Sequence, residues 1–233
     1  MLTMLCFDAD DTLWHNERFF RMTQEQFSEL LADFAAKDHL AERLLAAERR
    51  NLGHYGFGIK GFVLSMIETA LDVTENRVPG HVVRDIIAVG QEMLAHPIEL
   101  LPGVEETILK LAPEFRMLLI TKGDLLDQER KIAQSGLGDL FDGVEIVSDK
   151  TPAVYLNIFA RHSTAPDKAL MAGNSLKSDV NPAIAAGGWA IYVPHGLTWE
   201  IEAADAPLEH KRFREVREFR DIPDTVAAIQ HKI

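Results

Sequence analysis

MLTMLCFDADDTL, residues 1–13, decides how the rest of the chain is read. Leu2 to Phe7 is short and apolar at adjacent positions, the pattern of a strand buried on both faces. Asp8, Asp10 and Asp11 then follow within four positions. Two like charges about 4 Å apart repel by roughly 1 kcal/mol in water and about 4 at an effective dielectric near 20. A chain that gathers three carboxylates at the end of a buried strand must supply something that offsets this repulsion.

Downstream of the triplet the signal turns helical. From Glu17 to about Leu94 apolar residues recur at helical spacing, as in Phe19, Met22, Phe27, Leu30, Leu31 and Phe34. NLGHYGFG (51–58), with three glycines, predicts a loop, and Pro79 predicts a helix start. Beyond Pro102 short apolar runs alternate with helical segments: RMLLIT (116–121), GVEIVSDK (143–150), KALMAGN (168–174), WAIYVP (189–194) and REVREF (214–219). Alternation of this kind predicts an α/β fold, a doubly wound, Rossmann-like parallel sheet covered by helices on both faces. The helical stretch is then an insertion. The predicted organisation is a core of residues 1–15 and 99–233 with a helical domain of residues 16–98 inserted directly after the acidic triplet. Ligands in such sheets bind beyond the carboxyl ends of the strands, so the insert is expected to act as a lid.

Composition excludes several classes. The 233 residues carry 24 Lys and Arg against 36 Asp and Glu, a formal net charge of −12. That disfavours nucleic acid and an anionic membrane surface as partners. No apolar run of about 18 residues predicts a membrane span. A single cysteine, Cys6, permits no internal disulfide and fits a reducing cytoplasm, as does a start with no basic region ahead of the apolar stretch. The sequence leaves the oligomeric state open.

The strand ends carry the chemistry. The first delivers Asp8 and Asp10, RMLLIT delivers Thr121 followed by Lys122, GVEIVSDK delivers Lys150, and KALMAGN delivers Asn174 with Asp179 shortly after. Carboxylates at one rim suit a hard divalent cation such as Mg²⁺, while a hydroxyl, lysines and free backbone N–H groups suit phosphate oxygens.

DADDTL, Thr121, Lys150 and GNSLKSD resemble, in order and on the expected elements, the four motifs of the haloacid dehalogenase superfamily, one branch of which carries a helical cap after the first motif. The resemblance implies that Asp8 is the nucleophile and Asp10 the general acid and base. It implies further that Thr121 and Lys150 bind the phosphoryl group and that Asp8, Asp10 (through its carbonyl) and Asp179 hold Mg²⁺; Lys122, where the family often has Asn, is expected as an added cation at the phosphate, and Asn174 is expected beside the metal. The implied activity is that of a phosphatase on a small phosphorylated metabolite. Asn174 stands where the family usually has Asp, which removes one charge from the cation site. A dehalogenase on the same fold is an alternative, but the family's dehalogenases lack the second aspartate. A phosphonate hydrolase would require a cap lysine, for which Lys37 and Lys60 are the candidates in the insert. A non-catalytic, receiver-like phosphate-binding protein shares the acidic cluster, Thr and Lys but not so long an insert. His15, His54, Tyr55 and Phe57 are candidate substrate contacts, and Trp14 reads as a packing residue. The substrate itself is not legible.

Overall fold

A computed structural model describes residues 1–231. The chain starts with β1 (Met4–Phe7) and passes through α1 (Glu17–Leu30), α2 (Lys37–Tyr55), α3 (Ile59–Val73) and α4 (Gly80–Ala95). It continues with α5 (Val104–Leu111), β2 (Arg116–Lys122), α6 (Leu125–Ser135), β3 (Gly143–Val147), α7 (Pro152–Arg161) and β4 (Ala169–Gly173). The last elements are α8 (Asn181–Ala185), β5 (Trp189–Tyr192), β6 (Phe213–Glu215) and α9 (Ile222–Gln230).

All strand pairings are parallel, and the sheet order is β3-β2-β1-β4-β5-β6. The fold is therefore a doubly wound α/β sheet. Strand order reverses between β1 and β4, the switch point at which such sheets bind ligands. Strand pleating sends successive side chains to opposite faces. Leu5, Phe7, Met117, Leu119, Leu170 and Ala172 pack with Val104 and Ile108 of α5 and Val226 and Ile229 of α9. Met4, Cys6, Leu118, Ile120 and Met171 pack on the other face with Tyr155, Ile158 and Phe159 of α7. Central strands buried on both faces explain the unbroken apolar runs in the sequence.

Chain contacts divide the molecule into two compact units. One comprises Met1–Glu17, Ile98–Lys122 and the chain from Gln128 onward; the other comprises Arg18–Pro97 with the short segment Gly123–Asp127. The second unit is helical around Phe27, Leu40, Leu44, Phe62, Met66 and Ile86. Gly90 on α4 lies so close to Val63 on α3 that a Cβ there would overlap it, so the glycine permits the helices to pack. The predicted loop 51–58 is shorter than its glycines imply. Residues 51–55 complete α2, and only Gly56–Gly58 break the helix. Asn51 donates to Ser65 Oγ at 3.1 Å and Glu68 Oε2 at 2.6 Å, and this bonding outweighs the helix cost of Gly53, about 1 kcal/mol. His54 and Tyr55 consequently lie in the last turn of α2, and Phe57 lies in the short connection.

Where the chain leaves and re-enters the sheet unit, the two passages are tied. Leu101 N donates to Leu13 O at 2.8 Å, His15 N donates to Glu99 O at 3.1 Å, and Trp14 bridges Leu100.

Candidate active site

The acidic triplet is resolved into three separate settings. Asp8 Oδ1 accepts from Lys150 Nζ at 2.5 Å and Asp8 Oδ2 accepts from Thr12 Oγ1 at 3.0 Å. Asp10 accepts from Lys131 Nζ at 3.0 and 3.1 Å, from Trp14 Nε1 at 2.7 Å and from Gln128 Nε2 at 2.9 Å. Asp11, with a left-handed φ of 60°, accepts from the backbone N–H groups of Asn16 and Glu17 and so caps the start of α1. Each carboxylate has its own set of partners.

Lys150 follows β3 and precedes α7. Thr151 caps α7 by accepting from Val154 N, and Pro152 opens the helix. The lysine side chain is almost fully buried and spans two carboxylates, donating to Asp8 and, at 2.7 Å, to Asp179 Oδ1. Burial alone would lower the pKa of Lys150. Asp179 and Asp8 outweigh it and hold the ammonium protonated above the usual lysine range. Burial and the charge of Asp179 push Asp8 up to about 7, against the pull of Lys150. For Asp10 burial is likewise the largest influence, but Lys131, Gln128 and Trp14 together bring it below the usual carboxylate value. Lys131, within 3.1 Å of both oxygens, favours the ionised form of Asp10 in this arrangement.

The turn after β4 is a five-residue π-helical turn, Leu176–Val180, a local widening common at functional sites. It brings Asp179 back against Gly173, where a Cβ would overlap the carboxylate, so glycine is required. Asp179 Oδ2 accepts from Ser175 N at 2.9 Å, and Tyr155 Oη donates to Ser178 O at 3.0 Å. Asn174 N donates to Thr12 Oγ1 at 3.0 Å. With its amide turned to face acceptors, Asn174 Nδ2 lies 3.1 Å from both Asp8 Oδ2 and the Asp10 carbonyl oxygen.

Among the described residues no group of three or more His, Cys, Asp or Glu side chains is arranged to hold a metal ion. What converges instead is one carboxylate, one main-chain carbonyl and the Asn174 amide. Turned the other way, that amide completes an all-oxygen donor set of the kind Mg²⁺ takes, with one charge fewer than a second aspartate would give. Asp179 stands one step back, with its oxygens taken by Lys150 and Ser175 N. Thr121 lies buried at the end of β2. Lys122, expected among the phosphate ligands, is committed elsewhere, to Ser178 Oγ at 2.7 Å and Glu202 Oε1 at 2.6 Å. His15 approaches His195 with ring centroids 6.1 Å apart. Trp14, Gln128, Lys131 and Glu202 were not singled out from sequence as site residues. Gln128 and Lys131 sit three positions apart on α6, one helical face, which is the only local signal they give. Among the described residues no helix is long and apolar enough to cross a membrane.

Comparison with known proteins bears on the family and the fold. The family model described as haloacid dehalogenase-like hydrolase matches residues 3–187. The solved structure of a haloacid dehalogenase-like family hydrolase from Xanthomonas campestris is 39% identical, with a TM-score of 0.90 over 99% of this chain and 93% of that chain. An L-2-haloacid dehalogenase from Xanthobacter autotrophicus shares the fold, with a TM-score of 0.66 at 19% identity over 98% of this chain and 100% of that chain. The glyceraldehyde 3-phosphate phosphatase of Pyrococcus furiosus is 29% identical over 118 residues, 48% of this chain. The match covers 47% of that enzyme, so the chain spans about half the length of this relative.

Proposed function

The chain belongs to the haloacid dehalogenase-like hydrolase family, and from that premise we propose that it is a Mg²⁺-dependent phosphatase that cleaves a small phosphomonoester through an aspartyl phosphate on Asp8. One observation carries the reading: a second aspartate, Asp10, stands two residues after the lysine-held Asp8 in a setting of its own. Displacement of a halide from carbon has no leaving group that needs a proton, whereas cleavage of an alkyl phosphate ester releases an alkoxide that does. The similarity to a glyceraldehyde 3-phosphate phosphatase supports the same choice.

In this reading an Asp8 oxygen attacks phosphorus and the bond to the ester oxygen breaks. When an alkyl ester binds, Asp10 must first take up a proton against the pull of Lys131 and then gives it to the leaving oxygen; an acidic leaving group departs unprotonated from the ionised Asp10. Water then attacks the phosphorus of the aspartyl phosphate while Asp10 takes its proton, which releases inorganic phosphate and restores Asp8. Lys150 balances charge on Asp8 and on the phosphoryl oxygens, and Thr121 supplies a hydroxyl at the end of β2. Asp8, the Asp10 carbonyl and Asn174 would hold Mg²⁺, which when bound supplies electrostatic stabilisation of the transferred group. Asp179 fixes Lys150. The helical unit carries substrate selectivity.

The test is hydrolysis of p-nitrophenyl phosphate with Mg²⁺ and with a chelator. Turnover that is lost in chelator and restored by Mg²⁺ is expected. Full turnover in chelator refutes the metal requirement, and release of halide from 2-haloacids without any phosphatase activity refutes the reaction class.

A further inference from the structure

Lys122 and Glu202 form an ion pair that the reaction outlined above does not use. Their side chains are only 14% and 12% exposed, with nitrogen and oxygen 2.6 Å apart. The other oxygen of Glu202 accepts from Ser175 Oγ at 2.7 Å and from Ser178 Oγ at 2.5 Å. Lys122 Nζ donates to Ser178 Oγ as well, so one lysine and two serines close around one carboxylate. Glu202 reaches this point on a short 3₁₀ turn, Glu200–Glu202, in the segment between β5 and β6. Ser178 lies in the turn 176–180 that carries Asp179, and Ser175 caps that turn directly after Asn174. Glu202 therefore grips the piece of backbone that orients the partners of Asp8 and Lys150.

Lys131 faces Asp10, Lys150 faces both Asp8 and Asp179, and Lys122 faces Glu202. Lys122 directly follows Thr121 at the end of β2, the edge from which phosphate oxygens would be bound. An uncompensated ammonium there would add a second strong anion ligand, slowing product release as well as strengthening binding. Glu202 removes that option by taking the ammonium itself.

We propose that Glu202 is a positioning residue that draws the Lys122 ammonium away from the phosphoryl site, leaving Lys150 as the lysine that engages the transferred group. The proposal rests on the phosphatase reading. The segment bearing Glu202 has further anchors on the same turn and helix: Lys177 Nζ donates to Ile201 O at 2.7 Å, and Asn181 Nδ2 donates to Asp205 O at 3.2 Å. Loss of the carboxylate alone thus leaves the segment attached.

Inorganic phosphate is titrated calorimetrically into the parent, Glu202→Gln, Glu202→Ala and the double variant Glu202→Ala/Lys122→Met, with KM and kcat for p-nitrophenyl phosphate measured alongside. Freed from Glu202, Lys122 is expected to tighten phosphate binding about tenfold in Glu202→Ala, with a lower KM and a lower kcat. The double variant is expected to return phosphate affinity to that of the parent. Glu202→Gln keeps the shape and is expected to shift affinity in the same direction as Ala. A residue that merely braces its loop would give the opposite sign: weaker phosphate binding in both Glu202 variants, not reversed by Lys122→Met. That result overturns the proposal. A parent that neither binds phosphate nor turns over the aryl ester overturns the phosphatase reading and this inference with it. A parent that does both, with Glu202 variants of unchanged affinity, overturns this inference alone.

Discussion

Replacing Asn174 by Asp restores the residue that the family usually carries, and its effect in the absence of metal follows from the distances. The Asn174 nitrogen lies 3.1 Å from Asp8 Oδ2. A carboxylate oxygen at that separation repels Asp8 by about 5 kcal/mol at an effective dielectric near 20, equivalent to roughly 4 pKa units. The pair escapes most of this at neutral pH, because Asp8 already titrates at about 7 in the folded protein and takes up a proton there at little cost. Above pH 7 the escape closes. In the variant the folded state binds a proton that the unfolded chain has released, so stability falls by about 1.4 kcal/mol per pH unit. In the parent Asp8 is ionised in both states above pH 7, and this slope is absent. At pH 9 the variant is therefore about 3 kcal/mol less stable, a Tm lower by roughly 6–12 °C for a chain of this size. Thermal melts at pH 7 and pH 9 in chelator, repeated with excess Mg²⁺, test this. The gap is expected to be small at pH 7, wide at pH 9 and abolished by Mg²⁺ at both. A gap independent of pH, or a variant more stable than the parent in chelator at pH 9, would refute the reasoning.

Other outcomes follow from single side chains. Asp8→Asn is expected to lose at least about 10⁴-fold in kcat, with Tm close to the parent's near pH 4 and no lower than the parent's at pH 7 and above, since Lys150 still has Asp179 and the raised Asp8 is ionised at a cost there; residual turnover within 100-fold of the parent sinks the nucleophile assignment. Lys150→Met leaves Asp8 and Asp179 buried without a counter-charge, a loss of about 3–5 kcal/mol that urea unfolding at pH 8 reads directly. Because Asp8 is raised in the folded state above its unfolded value near 4, its contribution to stability is full below about pH 4 and is lost as pH rises through 7. Urea unfolding of the parent in chelator should weaken over that window more than that of Asp8→Asn, and equal slopes would count against the raised value. Lys131→Met removes the cation that holds Asp10 ionised, so Asp10 should accept a proton more readily; alkyl phosphates should gain on p-nitrophenyl phosphate in relative kcat/KM, and an unchanged ratio argues that Lys131 does not set the protonation of Asp10.

Much of this site was visible in the sequence because the fold itself aligns it. Strands buried on both faces leave unbroken apolar runs, and in a parallel sheet every run ends at the same edge. Asp8, Thr121, Lys150 and Asn174 could therefore be gathered at one rim by counting strands. The partners that decide charge states could not. Lys131 and Asp10 are 121 positions apart and Lys122 and Glu202 are 80 apart, and no local periodicity links either pair. Trp14 reads as a packing residue; it is fully buried and also donates to Asp10, and sequence alone does not separate the two roles. The π-helical turn 176–180 was likewise hidden, because a turn of that pitch leaves no repeating apolar pattern. At 51–58 the three glycines misled, since a tertiary contact through Asn51 outweighed local propensity.

The tie between Leu13 and Leu101 and between His15 and Glu99 means that the sheet unit closes its own seam before and after the long helical excursion. For the sheet the excursion is a closed loop, and the entropy of closing a loop grows only with the logarithm of its length, about 0.6 kcal/mol per doubling. Shortening, lengthening or exchanging those helices is then a cheap change for the strands that carry Asp8 and Lys150. A graft that keeps the seam from His15 to Glu99 and substitutes another chain's helices should fold around the same carboxylates while meeting a different set of molecules. The seam is where such a lineage of enzymes can be cut and rejoined without touching its chemistry.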